Sequence, residues 1–471
     1  MQAPLHLSLT GLDVAPRVLA FTGSEEVGSP YRFDIELAFD QCPDLDTMIG
    51  ETVALTCSRE GRVERVFTGM VIRAAEKRLS ALGENIVELE IVPRAFRAEY
   101  VKNIRVHTKV DIRALIRHQL TMLALEEGVD FELRLDDPPT PRDLIVQYRE
   151  TDQAFLHRLL ERAGIASFYV PGRERETLVL TDHPSGFDVD DAPLRHRLKG
   201  EQMDVYELLH ERNLTQRVFV CRDYSPLNPA FNLQSDAVAN DDGDLGGTFD
   251  FGFGNTSVAE ANAEAKRMAD RANMRRDTYR GRSDLLHLRA GCRYSVADYK
   301  LSSELLLVAV RHRCFLPESA EGAVYENEFE AIPAERMARP IARTPAPRIP
   351  GLLHAVVLTD ATGAVGKKAD LDSSGGYLVK FRFDPAPPGD VDTTVRVRMI
   401  QPSAGPSYGI HFPLRPGVEV LVGFIGGDPE RPIIVGAAPN AITPSPVSKV
   451  NASKNRIRTA NGAMIEFDDG T

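Results

Sequence analysis

The residues best suited to chemistry are few and badly spaced for it. Glu207, His210 and Glu211 form a short run of ligand-type side chains. The surrounding pattern is that of a strand, which puts positions 207 and 211 on one face and 210 on the other. Such a split does not converge on a metal ion. His411 stands between Ile410 and Phe412, with Ser407 and Glu419 close in sequence, but no triad motif gathers the three. His107, His118 and His157 fall in or beside predicted helices, where packing or solvent is the ordinary setting of the ring. The acid pairs Glu25-Glu26 and Asp468-Asp469 read as solvated. The chain has no glycine-rich phosphate cradle, no G-x-S-x-G elbow and no H-E-x-x-H helix. A cell-wall or polysaccharide hydrolase needs two carboxylates framed at a catalytic separation, and no such pair stands out. The expectation is no catalytic residue, no metal ligand, no cofactor and no enzyme activity.

Composition narrows the classes further. The 471 residues suffice for two to four domains. A net charge of -12 argues against a nucleic-acid binder, whose phosphate contacts need concentrated Lys and Arg. The five cysteines, at 42, 57, 221, 292 and 314, are odd in number and lack C-x-x-C spacing. They read as reduced, buried thiols. No 18-residue apolar run predicts a membrane helix. Met1-Gln2-Ala3-Pro4 lacks the basic and apolar regions of a signal peptide.

The elements that would position any site are mostly strands. Phe33, Ile35 and Leu37 alternate with Asp34 and Glu36, and residues 53–55, 66–72 and 86–92 continue the theme as a barrel or sandwich. A helix is expected from about Thr108, with Thr108 and Asp111 near the capping-box pattern and Ile112, Leu115, Ile116 and Leu120 inward. A second starts at Thr151, buries Phe155, Leu156, Leu159 and Leu160, and stops at Gly164. Residues 240–254, acidic and glycine-rich, read as a solvated loop rather than a calcium ladder. A third helix is capped by Ser257 and Glu260, with Ala259, Ala263, Met268 and Ala272 as its weak apolar face. Pro340, Pro345, Pro347 and Pro350 then make a stiff, extended linker.

After the linker comes a compact β module. Tyr377, Val379, Phe381 and Phe383 share one strand face as a barrel core, with Lys380 and Arg382 on the other. With residues 352–358, 394–399, 417–424 and 431–436 this suits a five-stranded barrel of the oligonucleotide-binding (OB) type. Lys380, Arg382, Arg396 and Arg398 lie opposite the aromatic side chains, whereas a single-strand binder needs its stacking rings beside its charges. Those cations therefore read as an outer wall. The last residues predict two short strands around Asn461-Gly462, too little to bury a core alone.

Three stretches carry a resemblance. They are residues 147–165, beginning Gln147-Tyr148-Arg149-Glu150-Thr151-Asp152, residues 325–333, and the barrel runs 396–402, 409–424 and 426–436. In order and spacing they resemble the VgrG family, trimeric spike proteins of type VI secretion, which are similar to phage tail hub–spike proteins. The resemblance marks Tyr148, Arg149, Glu150, Asp152 and Phe155 as a hub signature. It implies a mainly β fold with a few inserted helices: a first hub β-barrel at 1–100, hub helices and connecting strands at 101–200, and a second hub barrel portion at 201–340. A linker at 341–350, an OB barrel at 351–440 and the start of an intertwined β-needle at 441–471 follow. It further implies a homotrimer on a hexameric inner tube protein, with baseplate components, and with effectors or a tip protein where a longer C-terminus exists. Assembly in the cytoplasm and export by the machine without a signal peptide are part of the same expectation. Ile457, Met464, Ile465 and Phe467 are expected to face the trimer interior, and Arg456 and Arg458 to face solvent or acids of other chains. Two departures stand out: the chain has no Trp, so Tyr408 is expected to fill an aromatic slot, and it stops at Thr471, as either a truncated or a naturally short chain would. Residues 436–448 leave no room for the lysozyme domain of the phage relative. A phage baseplate hub, an extracellular contractile particle and, more distantly, a carbohydrate-binding module remain the rival readings.

Overall fold

The computed structural model describes residues 4–41, 43–78, 85–136, 141–172, 174–197, 204–226, 229–230, 233–239, 245–297, 304–317, 322–359, 369–387 and 393–470. Met1–Ala3, Cys42, the acidic run 240–244 and Thr471, all weighed above, lie outside the described residues. The chain divides into two compact units. The first comprises Met1–Lys102, Asp111–Thr140 and Thr151–Ala346, and the second Asn103–Val110, Pro141–Glu150 and Pro347–Thr471. Strands dominate, with three α-helices among the described residues: α1 (Ile112–Met122), α2 (Asp152–Ala163) and α3 (Val258–Arg276).

The first unit is organised by a 12-stranded sheet that draws on both ends of the hub sequence. Phe33, Ile35 and Leu37 point inward from Ser29–Phe39 as their alternation predicts, while Asp34 is exposed. Arg17–Glu26 pairs antiparallel with Glu304–Phe315, setting Phe21 opposite Cys314. Early and late strands of this unit are thus joined edge to edge, which leaves neither with an open edge at that seam. One core runs across the join: Phe21, Phe33, Phe67 and Tyr325 are all buried, with Phe33 and Phe67 ring centroids 4.5 Å apart. Gly23 is required there, because a Cβ would stand 1.9 Å from the Phe33 ring. Cys57, Cys221, Cys292 and Cys314 are free and buried.

The helices follow local rules with two corrections. In α2, Thr151 Oγ1 accepts the Ala154 N–H at 3.1 Å, and Gly164 closes the helix in the left-handed region at φ 71°. Its buried set includes Phe155, Leu156, Leu159 and Leu160, the predicted face. In α1 the cap is Asp111, accepting from the Arg113 N–H at 3.0 Å, while Thr108 belongs to the preceding strand Lys102–Val110. In α3 Ser257 caps as expected, and Ala272 is buried with Met268 packed partly beside it, but Ala261, Ala265 and Ala269 take the inward places expected of Ala259 and Ala263, which are exposed. An alanine-rich helix has no bulky stripe to fix its rotation, so the sheet beneath it decides. Gly247–Phe251, expected within a loop, is a strand parallel to Val218–Asp223. The proline-rich connection carries neither helix nor strand, and it is not a free spacer. Thr344 donates its N–H and hydroxyl to Glu161, and Ile349 donates to the Gly427 carbonyl at 2.8 Å.

Glu25 is a further correction, for it is buried rather than solvated. Its carboxylate meets Arg65 at 2.5 Å, accepts the Ala290 N–H at 3.2 Å and lies 3.6 Å from His312. Burial pushes this carboxyl up, but Arg65, His312 and the Ala290 N–H together hold it down at about 2. Burial pushes the His312 ring below its usual range. A carboxylate depressed from 4.5 to about 2 contributes about 3 kcal/mol of stability. That contribution is complete above pH 4.5 and is lost as pH falls towards 2. Burial also lowers His312, so this ring adds to the loss as pH falls below its unfolded value near 6.5. Urea melts across pH 2–7 are expected to show this acid limb. Glu25→Gln should lower stability at pH 7 by about 3–5 kcal/mol, by leaving Arg65 unpaired, and should flatten the limb.

Candidate functional site

The second unit holds most of the residues singled out from the sequence. Its five-stranded sheet runs Thr394–Val397, Tyr377–Phe381, Leu353–Val357, Glu419–Phe424 and Pro432–Ala437. The two ends meet: Met399 bridges Ile434, and the Ile434 N–H donates to the Arg398 carbonyl at 2.9 Å. That contact turns the sheet into a barrel. Tyr377, Val379 and Phe381 are buried inside it. Phe383 lies past the end of the strand, half-buried, stacked on Phe381 at 5.0 Å and edge-on to Tyr148 at 5.7 Å.

Tyr148 is there because residues 103–110 and 141–150 belong to this unit and not to the hub. Their strands pair with each other, and Val106, Leu144 and Val146 pack into the barrel core. The hub signature is therefore shared out. Arg149 adopts φ 53° and lies over the Tyr148 ring, and Glu150 is half-buried beside it in sequence. Asp152 and Phe155 are buried residues of α2 in the first unit.

Lys380 corrects the outer-wall reading, being only 5% exposed. Its Nζ donates to Thr393 Oγ1 and lies 3.6 Å from Asp384 Oδ1. Asp384 Oδ2 accepts the Val106 N–H at 3.2 Å, and Oδ1 accepts from Ala386. A buried ion pair thus clasps the inserted strand to the barrel. Its sequence signal was a lysine inside an otherwise apolar strand with an acid four residues on. Arg382 is exposed, as expected, and Arg396 reaches Asp370 at 3.4 Å.

His411, His210 and His157 sit in separate settings. His411 bridges the Tyr377 hydroxyl at 2.6 Å and the Gln401 amide at 2.8 Å, and Tyr377 Oη also accepts the Leu414 N–H. Neither Ser407 nor Glu419 joins it; Glu419 holds His354 and Asn440 instead. His210 is bonded to Asp277 and stacked on Tyr279. His157 is half-buried on α2, its ring pushed below the usual value by burial. Asp136, Asp182 and His183 do gather within 4.8 Å, a grouping hidden by their separation in sequence. Asp136 is exposed, and the His183 Nδ1 is taken up by Ser185 at 2.7 Å.

The terminal hairpin pairs Lys454–Arg458 with Met464–Asp468, joined by a loop bearing Gly462 at φ 96°. Ile457 faces Ile465 and Asn455 faces Phe467 on one side, while Arg458–Met464, Arg456–Glu466 and Lys454–Asp468 occupy the other. Met464 thus leaves the apolar set expected of it. Arg456 does not wait for another chain, because its Nε bonds Glu466 at 2.5 Å, with Lys454 on the other Glu466 oxygen at 2.7 Å. Those two hydrogen bonds, Lys454 first, hold the Glu466 carboxyl below its usual range. Ile457 and Ile465 are about half exposed and Phe467 is 65% exposed. Tyr408, 68% exposed, fills no core slot in this chain.

Two family models match. Residues 24–315 match the phage tail baseplate hub (GPD) model, and 363–438 the type VI secretion system/phage-baseplate injector OB domain. The chain is 26% identical over 437 residues to the type VI secretion system spike protein VgrG3 of Vibrio cholerae, covering 89% of this chain and 42% of the relative. It is 28% identical over 490 residues to VgrG4b of Pseudomonas aeruginosa, covering 94% and 57%. The chain therefore spans about half the length of these relatives. Its fold is similar to the E. coli c3393 protein, a type VI secretion component (TM-score 0.67, 21% identity, 92% of this chain and 99% of that one). It is similar also to a chain of the Francisella PdpA–VgrG complex (TM-score 0.67, 8% identity, 99% and 76%).

Asp384→Ala is expected to cost the second unit about 3–5 kcal/mol in urea denaturation, because it strands Lys380 and the Val106 N–H. The double substitution Lys380→Met with Asp384→Leu should cost less than the single one.

Proposed function

This chain belongs to the phage tail baseplate hub (GPD) family, matched over residues 24–315, and we propose that it forms the hub and spike base of a contractile injection machine of the type VI secretion kind. The observation that carries this reading is the uncovered apolar face of Ile457, Ile465 and Phe467 at the end of a chain whose polar hairpin face is already paired. Three copies would turn these faces toward a common axis and so shelter residues that one copy leaves in water. The barrel would link that rod to the hub, and the hub would sit on a hexameric inner tube protein among baseplate components. On sheath contraction the assembly would be driven through a target membrane, with effectors or a tip protein carried by whatever follows the rod in a longer chain. The role is mechanical and needs no covalent chemistry from these residues.

Assembly in the cytoplasm and export by the machine itself fit the same reading. Among the described residues no helix is long and apolar enough to cross a membrane. The family's name also fits a phage tail, and the genes beside this one distinguish the two settings.

Light scattering tests the reading directly. Three copies of the 52.0 kDa chain give about 156 kDa, and this mass is expected to emerge as concentration rises. Ile465→Ser with Phe467→Ser should raise the concentration of half-assembly at least tenfold while leaving barrel melting unchanged. A monomer at every concentration overturns the trimer.

A further inference from the structure

The barrel carries a second uncovered apolar surface. Ile400, Ile410 and Phe412 are each about half exposed, and Tyr408 is more so. These side chains are held outward by construction. His411 turns inward to Tyr377 and Gln401, so Ile410 and Phe412, its neighbours in an extended stretch, turn outward. The Ile410 N–H is fixed to the Ser403 carbonyl at 2.9 Å. Ser407 takes φ 65°, a strained value for a residue with a side chain. The Tyr408 ring lies over Gly405, where a Cβ would stand 2.2 Å from it. A rigid loop that presents four apolar side chains has lost little freedom left to lose on binding.

We propose that residues 400–412 of the barrel form an interface with a second copy of this chain, continuous with that of the terminal hairpin. This rests on the trimer reading above. Area is the first argument. Three half-exposed side chains on the hairpin offer on the order of 250 Å2 of apolar surface. A stable interface takes roughly 800 Å2 per partner, a little over half of it apolar. The hairpin alone falls well short, and the barrel loop supplies about the missing amount. Ile442 and Val450, in the connection between the two, are exposed as well. Continuity is the second argument: Arg415, three residues after Phe412, donates to Asn461 at the hairpin tip at 3.4 Å. The loop and the hairpin therefore meet within one unit.

The test uses the full chain. Ile410→Ser with Phe412→Ser, leaving His411 in place, should raise the concentration of half-assembly at least tenfold, with an unchanged thermal melt. A photo-crosslinking residue in place of Tyr408 should give covalent dimers and trimers on a denaturing gel. An unaltered assembly midpoint in a chain that does trimerise overturns this interface while sparing the trimer. A wild-type monomer overturns both. Co-sedimentation of the wild type with phosphatidylglycerol vesicles, abolished by Phe412→Ser without any change in mass, overturns it in favour of a membrane contact.

Discussion

Lys454, Arg456, Glu466 and Asp468 satisfy one another across the terminal hairpin, and that leaves its other face with apolar side chains and one asparagine. Each exposed ion pair is worth little by itself. What they accomplish is geometrical. They fix the register in which Ile457 meets Ile465, and a slip of one residue would set charged positions opposite apolar ones. An isolated two-stranded hairpin is marginal in water. Among the described residues nothing covers the face of Ile457, Ile465 and Phe467, and that asymmetry supports the trimer proposed above.

The first unit is held together along one seam. Its two sequence-distant portions form a single sheet through the Arg17–Glu26 and Glu304–Phe315 seam, so pulling them apart would break a ladder of backbone hydrogen bonds together. Beneath the seam, Glu25, Arg65 and His312 form a buried polar knot among phenylalanines. Buried charges are costly unless fully paired. Here Glu25 pairs with Arg65 and accepts the Ala290 N–H, so loss of either partner would leave a buried charge poorly compensated. The Lys380–Asp384 pair acts similarly on the barrel, fastening a strand that arrives from residues 103–110.

Much of this was legible in the residues. Period-two alternation gave Phe33, Ile35 and Leu37 their inward face, and Thr151 with Gly164 marked both ends of α2. These are local properties, in which backbone geometry and a single hydrogen bond decide the outcome. Reading failed where a residue's neighbour was far away in the chain. Glu25 looks solvated until Arg65 and Ala290 close on it, and Lys380 looks external until Thr393 and Asp384 enclose it. The rotation of α3 was equally hidden, since alanines bury well on any side.

Sequence alone determined most kinds of element, the inward Tyr377, Val379 and Phe381 of the barrel, the absence of recognisable catalytic motifs and the family resemblance, because each rests on local spacing or on motifs in order. Only the tertiary structure decided that residues 103–110 and 141–150 join the barrel, that Met464 leaves the hairpin's apolar face, and that His411 braces a loop. The physical reason is common to all three. Strand pairing and burial depend on which distant segments come together, and no side chain's exposure is settled until that partner is in place.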